Sequence, residues 1–215
     1  MIGNKKDDNA FFGKVYTTVL KGLCCLIVIY VHIPIDFRNP LQDAIGSFAY
    51  VCVTIFFLIS SYGMMLSVEK NKDYLKTFWR NRLVALLLPC LFVNIVAFGL
   101  FFLSTSEMNF TLLYDINHYV VILLEWCVWF YIVQLCKRKW FPENEGLGDI
   151  LLICGTLLSS LYMYLGVDAM VSAEAGWPFE RMGLIYGVIL YRYFEKIKNW
   201  MDKHRLIKTM LMVGV

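Results

Sequence analysis

The stretch LVALLLPCLFVNIVAFGLFFL, residues 83–103, decides the class of this protein. It contains no charged residue, and Asn94 is its most polar side chain. A helix of this length rises about 32 Å, whereas the hydrocarbon core of a bilayer is about 30 Å thick. The stretch is therefore predicted to cross a membrane as a helix.

The composition of the rest of the chain agrees with a membrane protein. Hydrophobic residues make up 59% of the 215 residues and charged residues 17%, and the mean hydropathy is +0.60. Soluble domains average about 45–50% apolar and about 25% charged residues, so a soluble single domain is excluded. The seven cysteines all lie in apolar runs without metal-ligand spacing, and we expect buried thiols rather than disulfides or a metal site.

Five further stretches have the length and apolarity of a span, and short polar connections separate them. A seventh apolar stretch begins around Leu206, and the chain ends at Val215. We therefore predict an all-α, polytopic integral membrane bundle with six spans and the start of a seventh, forming one domain over residues 1–215. The predicted spans are 15–35, 45–66, 83–103, 119–136, 150–166 and 181–195.

The Lys and Arg residues predict the orientation of this array. Eighteen of the 20 lie in the N-terminal segment or in the second, fourth and sixth connections, whereas only Arg38 and Arg181 lie on the other side. Cytoplasmic segments of membrane proteins carry the excess of Lys and Arg. The N-terminus is therefore predicted to be cytoplasmic.

Lys21 and His32 form a possible polar pair in span 1. They are eleven residues apart, which is about three turns plus 20°, so both lie on one helix face, about 16 Å apart along the axis. Polar groups inside a span are default functional candidates. A snorkelling lysine and an interfacial histidine beside Pro34 explain the same spacing.

Spans 2 to 4 add aromatic and basic candidates. Span 2 reads FFLISSYG over residues 56–63, where small residues also favour close helix packing. The basic, aromatic connection of residues 74–82 is also typical of a membrane anchor. Glu125 lies in the middle of span 4, where a charge is expensive, so we expect it to face the bundle interior.

Taken in order, these elements resemble the membrane acyltransferases of family 3, which O-acylate cell-surface polysaccharides and related acceptors. That family has a basic residue, ten intervening residues and then a His in its first span, and a Phe-Phe-x-x-Ser-Gly-Tyr/Phe stretch in its second. An Arg-containing entry to span 3 and a Trp-Phe-Leu stretch follow. The matching residues here are Lys21 and His32; Phe56, Phe57, Ser60 and Tyr62; Arg80, Arg82 and Pro89; and residues 129–132.

The resemblance implies an O-acyltransferase of the plasma membrane that takes an acyl group, with acetyl expected, from cytoplasmic acyl-CoA. The acceptor would be a hydroxyl of a cell-surface polysaccharide or glycolipid, with membrane lipids as surroundings. We expect no permanently bound cofactor, no metal and no nucleic acid. The implied catalytic residue is His32. The implied donor-binding residues are Lys21, Ser60, Tyr62, Arg80 and Arg82, and the implied acceptor-binding residues are Glu125 and Trp129.

The donor assignment also has a physical basis, since acyl-CoA is a polyanion and its phosphates need cations on the inner face. Arg80 and Arg82 can each clamp a phosphate with two hydrogen bonds, and Lys21 adds a point charge. A histidine farther along the same face as Lys21 is positioned to act as general base between the donor and an acceptor on the other side.

The sequence departs from the family pattern in three positions: Lys21 replaces the more frequent Arg, Ser61 replaces Gly, and Ala85 stands where many members have a second Arg. Members usually have about ten spans, so we expect a fragment or a truncated product. Two alternatives stay open. One is a non-enzymatic polytopic protein such as a lipid-linked sugar transporter, and the other is an inactive acyltransferase remnant.

Overall fold

A computed structural model describes residues 12–32, 39–114, 116–142, 144–165 and 177–204. Within these residues the chain is all-α. Six helices are long: α1 (Lys14–Val31), α3 (Ala49–Lys70), α4 (Tyr74–Thr105), α6 (His118–Trp140), α7 (Glu145–Tyr164) and α9 (Met182–Lys203). Three are short: α2 (Pro40–Gly46), α5 (Thr111–Tyr114) and α8 (Trp177–Glu180).

The predicted helical membrane bundle is confirmed. In the described residues, five segments are long and apolar enough to cross a membrane, and they match the first five predicted spans. The sixth predicted span corresponds to α9, which has 22 residues and a more charged composition. The seventh predicted span, from Leu206, lies outside the described residues.

The helix ends follow the polar residues of the connections. Asn39 caps α2 through a reciprocal pair, in which its side chain accepts from the Gln42 backbone N–H at 2.9 Å while the Gln42 side chain accepts from the Asn39 N–H at 2.9 Å. Asn117 and Asn144 cap α6 and α7 in the same general way. By contrast, α4 begins nine residues before its predicted span, since the basic connection is itself helical.

The closest helix pair is α3 and α9, and two glycines one turn apart make it possible. A Cβ on Gly183 would overlap the Thr54 carbonyl oxygen, and one on Gly187 would lie 2.5 Å from the Leu58 carbonyl oxygen and 2.7 Å from the Ser61 Cβ. Small residues four apart let two membrane helices approach this closely. The glycines of α9 thus leave room for Ser61, which is fully buried in this contact.

The buried core lies between α3, α4, α6, α7 and α9 and is rich in aromatic rings. Phe78 of α4 stacks on Phe130 and Tyr131 of α6 at centroid distances of 5.9 and 5.6 Å. Phe57 of α3 packs on Tyr119 at 4.9 Å. These contacts fix α6 between α3 and α4, and so determine which faces of α6 are available to build a site.

The helices place most of the cations of the described residues at one end of the bundle. We call this the basic end: it holds the α3–α4 and α6–α7 connections, the start of α1 and the end of α9. The Phe12–Tyr62 ring contact at 5.1 Å brings the start of α1 there, and the Tyr62–Phe194 contact at 5.8 Å brings the end of α9. Arg138 Nη1 donates to the Lys72 carbonyl at 2.9 Å and joins the two connections.

Candidate functional site

His32 lies at the end of α1 away from the basic end, as the C-cap residue of the helix. Its Nδ1 lies 2.7 Å from the Val28 carbonyl oxygen. A carbonyl oxygen can only accept, so Nδ1 carries the proton and donates it. In the neutral ring the Nε2 lone pair is then available to take a proton from another group. His32 is exposed, so this nitrogen is accessible.

At the basic half of the same helix, Lys21 lies near Arg82 of α4, and the two charges act on each other. Arg82 turns back along α4, where its Nη2 and Nε donate to the Tyr74 hydroxyl at 2.7 and 3.2 Å. Arg80, two residues away on α4, is exposed instead. The structure therefore brings Lys21 and Arg82 together and directs Arg80 to a different side of the helix.

Ser60 and Tyr62 do not share a site, because two residues along a helix correspond to a rotation of about 200°. The Ser60 hydroxyl is hydrogen-bonded to Tyr119 of α6, whose environment also includes the Arg82 charge. Tyr62 faces the other way, toward Phe12 and Phe194. Of the two predicted donor residues in span 2, only Ser60 lies on the side of the Lys21 and Arg82 cations.

Tyr62 lines a cavity of about 730 Å³ at the basic end, between α3, α6 and α9. Four cations line it as well, together with Glu69 and Glu195; they are Lys137, Arg138, Arg192 and Lys196. Arg192 Nε donates to Asp149 Oδ2 at 2.6 Å, and the Tyr191 hydroxyl donates to Glu69. The charges of this cavity are therefore partly neutralised within the chain.

A smaller cavity, of about 330 Å³, lies between α6, α7 and α9 in the half of the bundle away from the basic end. Glu125 and Trp129 both line it, so the two predicted acceptor residues are brought together. Arg181, at the start of α9, forms part of its wall and is only 2% exposed. Its Nη1 donates to the Ser159 hydroxyl at 2.9 Å, and its Nη2 lies 3.4 Å from Glu125 Oε2.

The Trp129 ring in this smaller cavity is held in one orientation. Its Nε1 donates to the Leu151 carbonyl of α7 at 3.2 Å. The indole rests directly on Gly155, where any Cβ would overlap the ring. The tryptophan thus forms a fixed flat surface within the cavity.

His32 and the two cavities occupy separate parts of the chain that the structure describes. Neither cavity is lined by a residue of α1. Across those same ranges, no group of three or more His, Cys, Asp or Glu side chains is arranged to hold a metal ion. The arrangement therefore offers a base on α1, a cation pair from α1 and α4, and a polar cavity on the far side of α6.

A family model described as an acyltransferase domain matches residues 15–215. The chain belongs to acyltransferase family 3. No curated protein and no solved structure matches it. Acyl transfer is therefore the general chemistry of this protein, and its helices make it a multi-pass membrane acyltransferase.

The sequence of this family 3 acyltransferase marked Arg181 only as a sugar-binding or helix-anchoring residue, and it indicated neither Ser159 nor the pairing of Arg181 with Glu125. Arg181 and Ser159 join Glu125 in the smaller cavity, although they come from three different helices. The available signal was weak: Arg181 is one of only two Arg or Lys residues on the side predicted to be outside. The cations at positions 137 and 138 were counted only toward the orientation of the chain, yet they line the larger cavity.

Proposed function

We propose that this protein transfers an acyl group, with acetyl expected, from cytoplasmic acyl-CoA to a hydroxyl of an extracytoplasmic glycan or glycolipid. In this proposal it lies in the plasma membrane with its N-terminus in the cytoplasm, as the distribution of Lys and Arg favours. The observation that carries the proposal is the hydrogen bond from His32 Nδ1 to the Val28 carbonyl at 2.7 Å. It makes Nε2 the basic nitrogen at the end of α1 opposite the cations.

In the proposed reaction, His32 Nε2 takes the proton of the acceptor hydroxyl as its oxygen attacks the thioester carbonyl carbon. The carbon–sulfur bond then breaks, and the thiolate of coenzyme A leaves. The imidazolium gives its proton to this thiolate. An ester and a free thiol are the products, and the histidine returns to its starting form. A positioned general base contributes about 10²–10⁴-fold in rate.

On the donor side, we assign the coenzyme A phosphates to Lys21 and Arg82, with Arg80 as a further cation. The mutual repulsion of Lys21 and Arg82 supports this, since a phosphate bound near both cations would offset it. Ser60 lies on the same side of α3, whereas Tyr62 reaches the donor only from the larger cavity.

The first experiment replaces His32 with Ala and measures glycan acylation by mass spectrometry beside coenzyme A binding. We expect acyl transfer to fall by about 10²-fold or more while donor binding is kept, because a base acts on the transition state. His204→Ala, at the basic end, is the matched control and keeps its activity. Wild-type acylation by the His32→Ala protein would remove the main residue of the proposal. Since the Ala variant can fail to accumulate, His32→Gln keeps the test decisive.

The second experiment tests the donor site with Arg82→Ala and Arg80→Ala, and with Lys139→Ala as the control. Losing one charge-assisted contact to a phosphate weakens coenzyme A binding by about ten- to a hundredfold. Because the charge of Arg82 acts on Lys21 and Arg80 is exposed, we expect the larger loss for Arg82. Unchanged affinity in both arginine variants would mean that these residues only anchor α4.

A further inference from the structure

The smaller cavity between α6, α7 and α9 has the composition of a ligand site. Most of its lining is apolar, and a few polar groups converge in it: the Arg181 guanidinium, the Glu125 carboxylate and the Ser159 hydroxyl. Its volume of about 330 Å³ is at the lower end of the range for small-molecule pockets, which is about 300–1,000 Å³. Such a volume fits one ring of a ligand and not a long chain.

The charges of the cavity favour an uncharged ligand. Arg181 already faces the carboxylate of Glu125, so an anionic ligand would have to displace that carboxylate or lie beside it. The Nη2 to Oε2 distance of 3.4 Å is longer than the 2.7–2.9 Å of a tight charged pair. A hydroxyl group that lies beside this pair can accept from the guanidinium and donate to the carboxylate without any change in net charge.

The aromatic residues of the cavity favour a hydroxylated ring. The Trp129 indole is fixed on Gly155 and offers a flat apolar surface. Trp126 also lines the cavity and is 4% exposed, and its Nε1 finds no hydrogen-bond partner among the residues that the structure describes. A buried donor of this kind is satisfied when a ligand oxygen accepts from it.

We infer that this cavity binds one uncharged sugar ring, with Arg181, Glu125 and Trp129 as its main contacts. As an acceptor subsite, the assignment rests on the proposed function, which puts this half of the bundle toward the extracytoplasmic glycan. No residue of α1 lines the cavity, among those described, so the bound sugar is a unit other than the one presented to His32. The cavity would then hold a longer acceptor in place while a neighbouring unit is acylated.

The test measures sugar binding directly, with the full chain in lipid nanodiscs and saturation-transfer difference NMR. The probes are the methyl glycosides of glucose, galactose and N-acetylglucosamine, with methyl glucuronide as the carboxylated analogue of the glucoside. We expect at least one neutral glycoside to bind saturably and the glucuronide to bind at least about tenfold more weakly. The sugar ring can belong to a glycan or to a glycolipid, and a monoglucosyl lipid added to the nanodisc distinguishes the two. The lipid should block the cavity only if the site takes lipid-linked sugars.

Variants distinguish a binding role from a purely structural one. Glu125→Gln should weaken binding of the neutral glycoside by about ten- to a hundredfold, because a hydrogen bond to a charged group is lost. The same variant should improve glucuronide binding, since the Arg181 charge then faces no carboxylate. Trp129→Phe should weaken every neutral glycoside, and Glu107→Gln, an exposed residue after α4, serves as the control.

Three results would overturn the inference: no saturable binding of any glycoside, tighter binding of the glucuronide to the wild-type chain, or unchanged sugar binding in both cavity variants. The outcome is independent of catalysis because no acyl donor is present. If sugar binds while the wild-type protein transfers no acyl group, the proposed function fails and the sugar site remains. If acyl transfer occurs without sugar binding in this cavity, only the sugar site fails.

Discussion

Helices α4 and α9 differ in burial, and the difference is the reverse of what their compositions suggest. The most apolar window of α4 has a mean hydropathy of 2.6, yet none of it is buried in the bundle. In α9 six of the last twelve residues are charged, yet Leu184 and Val188 are at most 2% exposed and both of its first two glycines contact α3. The more polar helix is at the centre, and the more apolar helix faces outward.

The difference reflects the solvent. In water an apolar face gains by leaving the solvent, whereas in a bilayer the lipid tails are as apolar as leucine. Helices associate there through close fit and hydrogen bonds. Helix α9 provides these contacts, whereas α4 provides them mainly at its first turns. Hydropathy therefore identifies the spans of this protein but does not indicate which of them form the core.

The largest effect on stability is expected when the contact between α9 and α3 is filled. Gly183→Leu would push a side chain into the Thr54 carbonyl and the Phe57 side chain, both of which are fixed in the core. We expect a destabilisation of about 3 kcal/mol or more, because such a residue cannot fit without moving a helix. The measurement is the apparent melting temperature in detergent micelles.

Gly99→Leu in α4 is the matched control, since nothing lies within 4 Å of its added Cβ. We expect its melting temperature to stay close to that of the wild type, because the free energy of unfolding should change by no more than about 0.5 kcal/mol. Equal losses in the two variants would contradict the claim that fit, rather than apolarity, holds α9 in place.

A second prediction concerns pH and the entry to α9. Burial raises the pKa of Glu180, in α8, from 4.5 to about 7. The folded chain therefore keeps the proton over a range in which the unfolded chain has released it, so stability should fall as the pH rises from about 4.5 to 7 and level off above that. The total change in the free energy of unfolding is about 3 kcal/mol.

Melting temperatures recorded between pH 4.5 and 8 test this prediction. Glu180→Gln should remove most of the slope, because the amide does not titrate. Glu107→Gln, just beyond the end of α4 and exposed, should keep it. A slope that persists in Glu180→Gln would mean that another group is responsible.

A smaller loss of stability is expected when an ion pair at the basic end is removed. There, Arg192 of α9 donates to Asp149 of α7 at 2.6 Å. The side chains are 30% and 13% exposed, so the pair is partly shielded from solvent. Arg192→Met leaves the carboxylate without this donor, and we expect a loss of about 1–2 kcal/mol in thermal stability.

Lys76→Met provides the comparison from α4. Lys76 pairs with Asp73 at 2.8 Å, but both side chains are more than 70% exposed. Exposed ion pairs contribute little, so no measurable change in melting temperature is expected. A larger loss of thermal stability for Lys76→Met than for Arg192→Met would contradict the prediction that the ion pair of α9 contributes more than that of α4.

The sequence predicted the class of fold and the first five spans because helix length and apolarity depend only on residues next to each other. The expectation that Glu125 faces the interior is met only in part: its side chain lines the smaller cavity and has a charged partner, but it is 42% exposed. The partner, Arg181, lies 56 residues later, and nothing local indicates that the two meet. The small-residue spacing of Gly183 and Gly187 was a usable signal for the α9 contact, although it does not name α3.

The candidate site was predicted less completely than the fold. Lys21 and His32 share α1, so helix geometry related them to each other without knowledge of the other helices. Ser60 and Tyr62 were grouped by motif, yet the helix turns them to opposite sides, where different neighbours meet them. Assignments along one helix follow from its periodicity, whereas assignments between helices need the packing.

The modest hydropathy of α9 has a consequence for biogenesis. A segment with this many charges partitions poorly into lipid when it leaves the insertion machinery alone. Its glycine face, however, fits the backbone of α3, which is synthesised more than 100 residues earlier. We expect α9 to enter the bilayer against an α3 that is already in place, so that a defect in α3 would appear as failed insertion of a helix made much later.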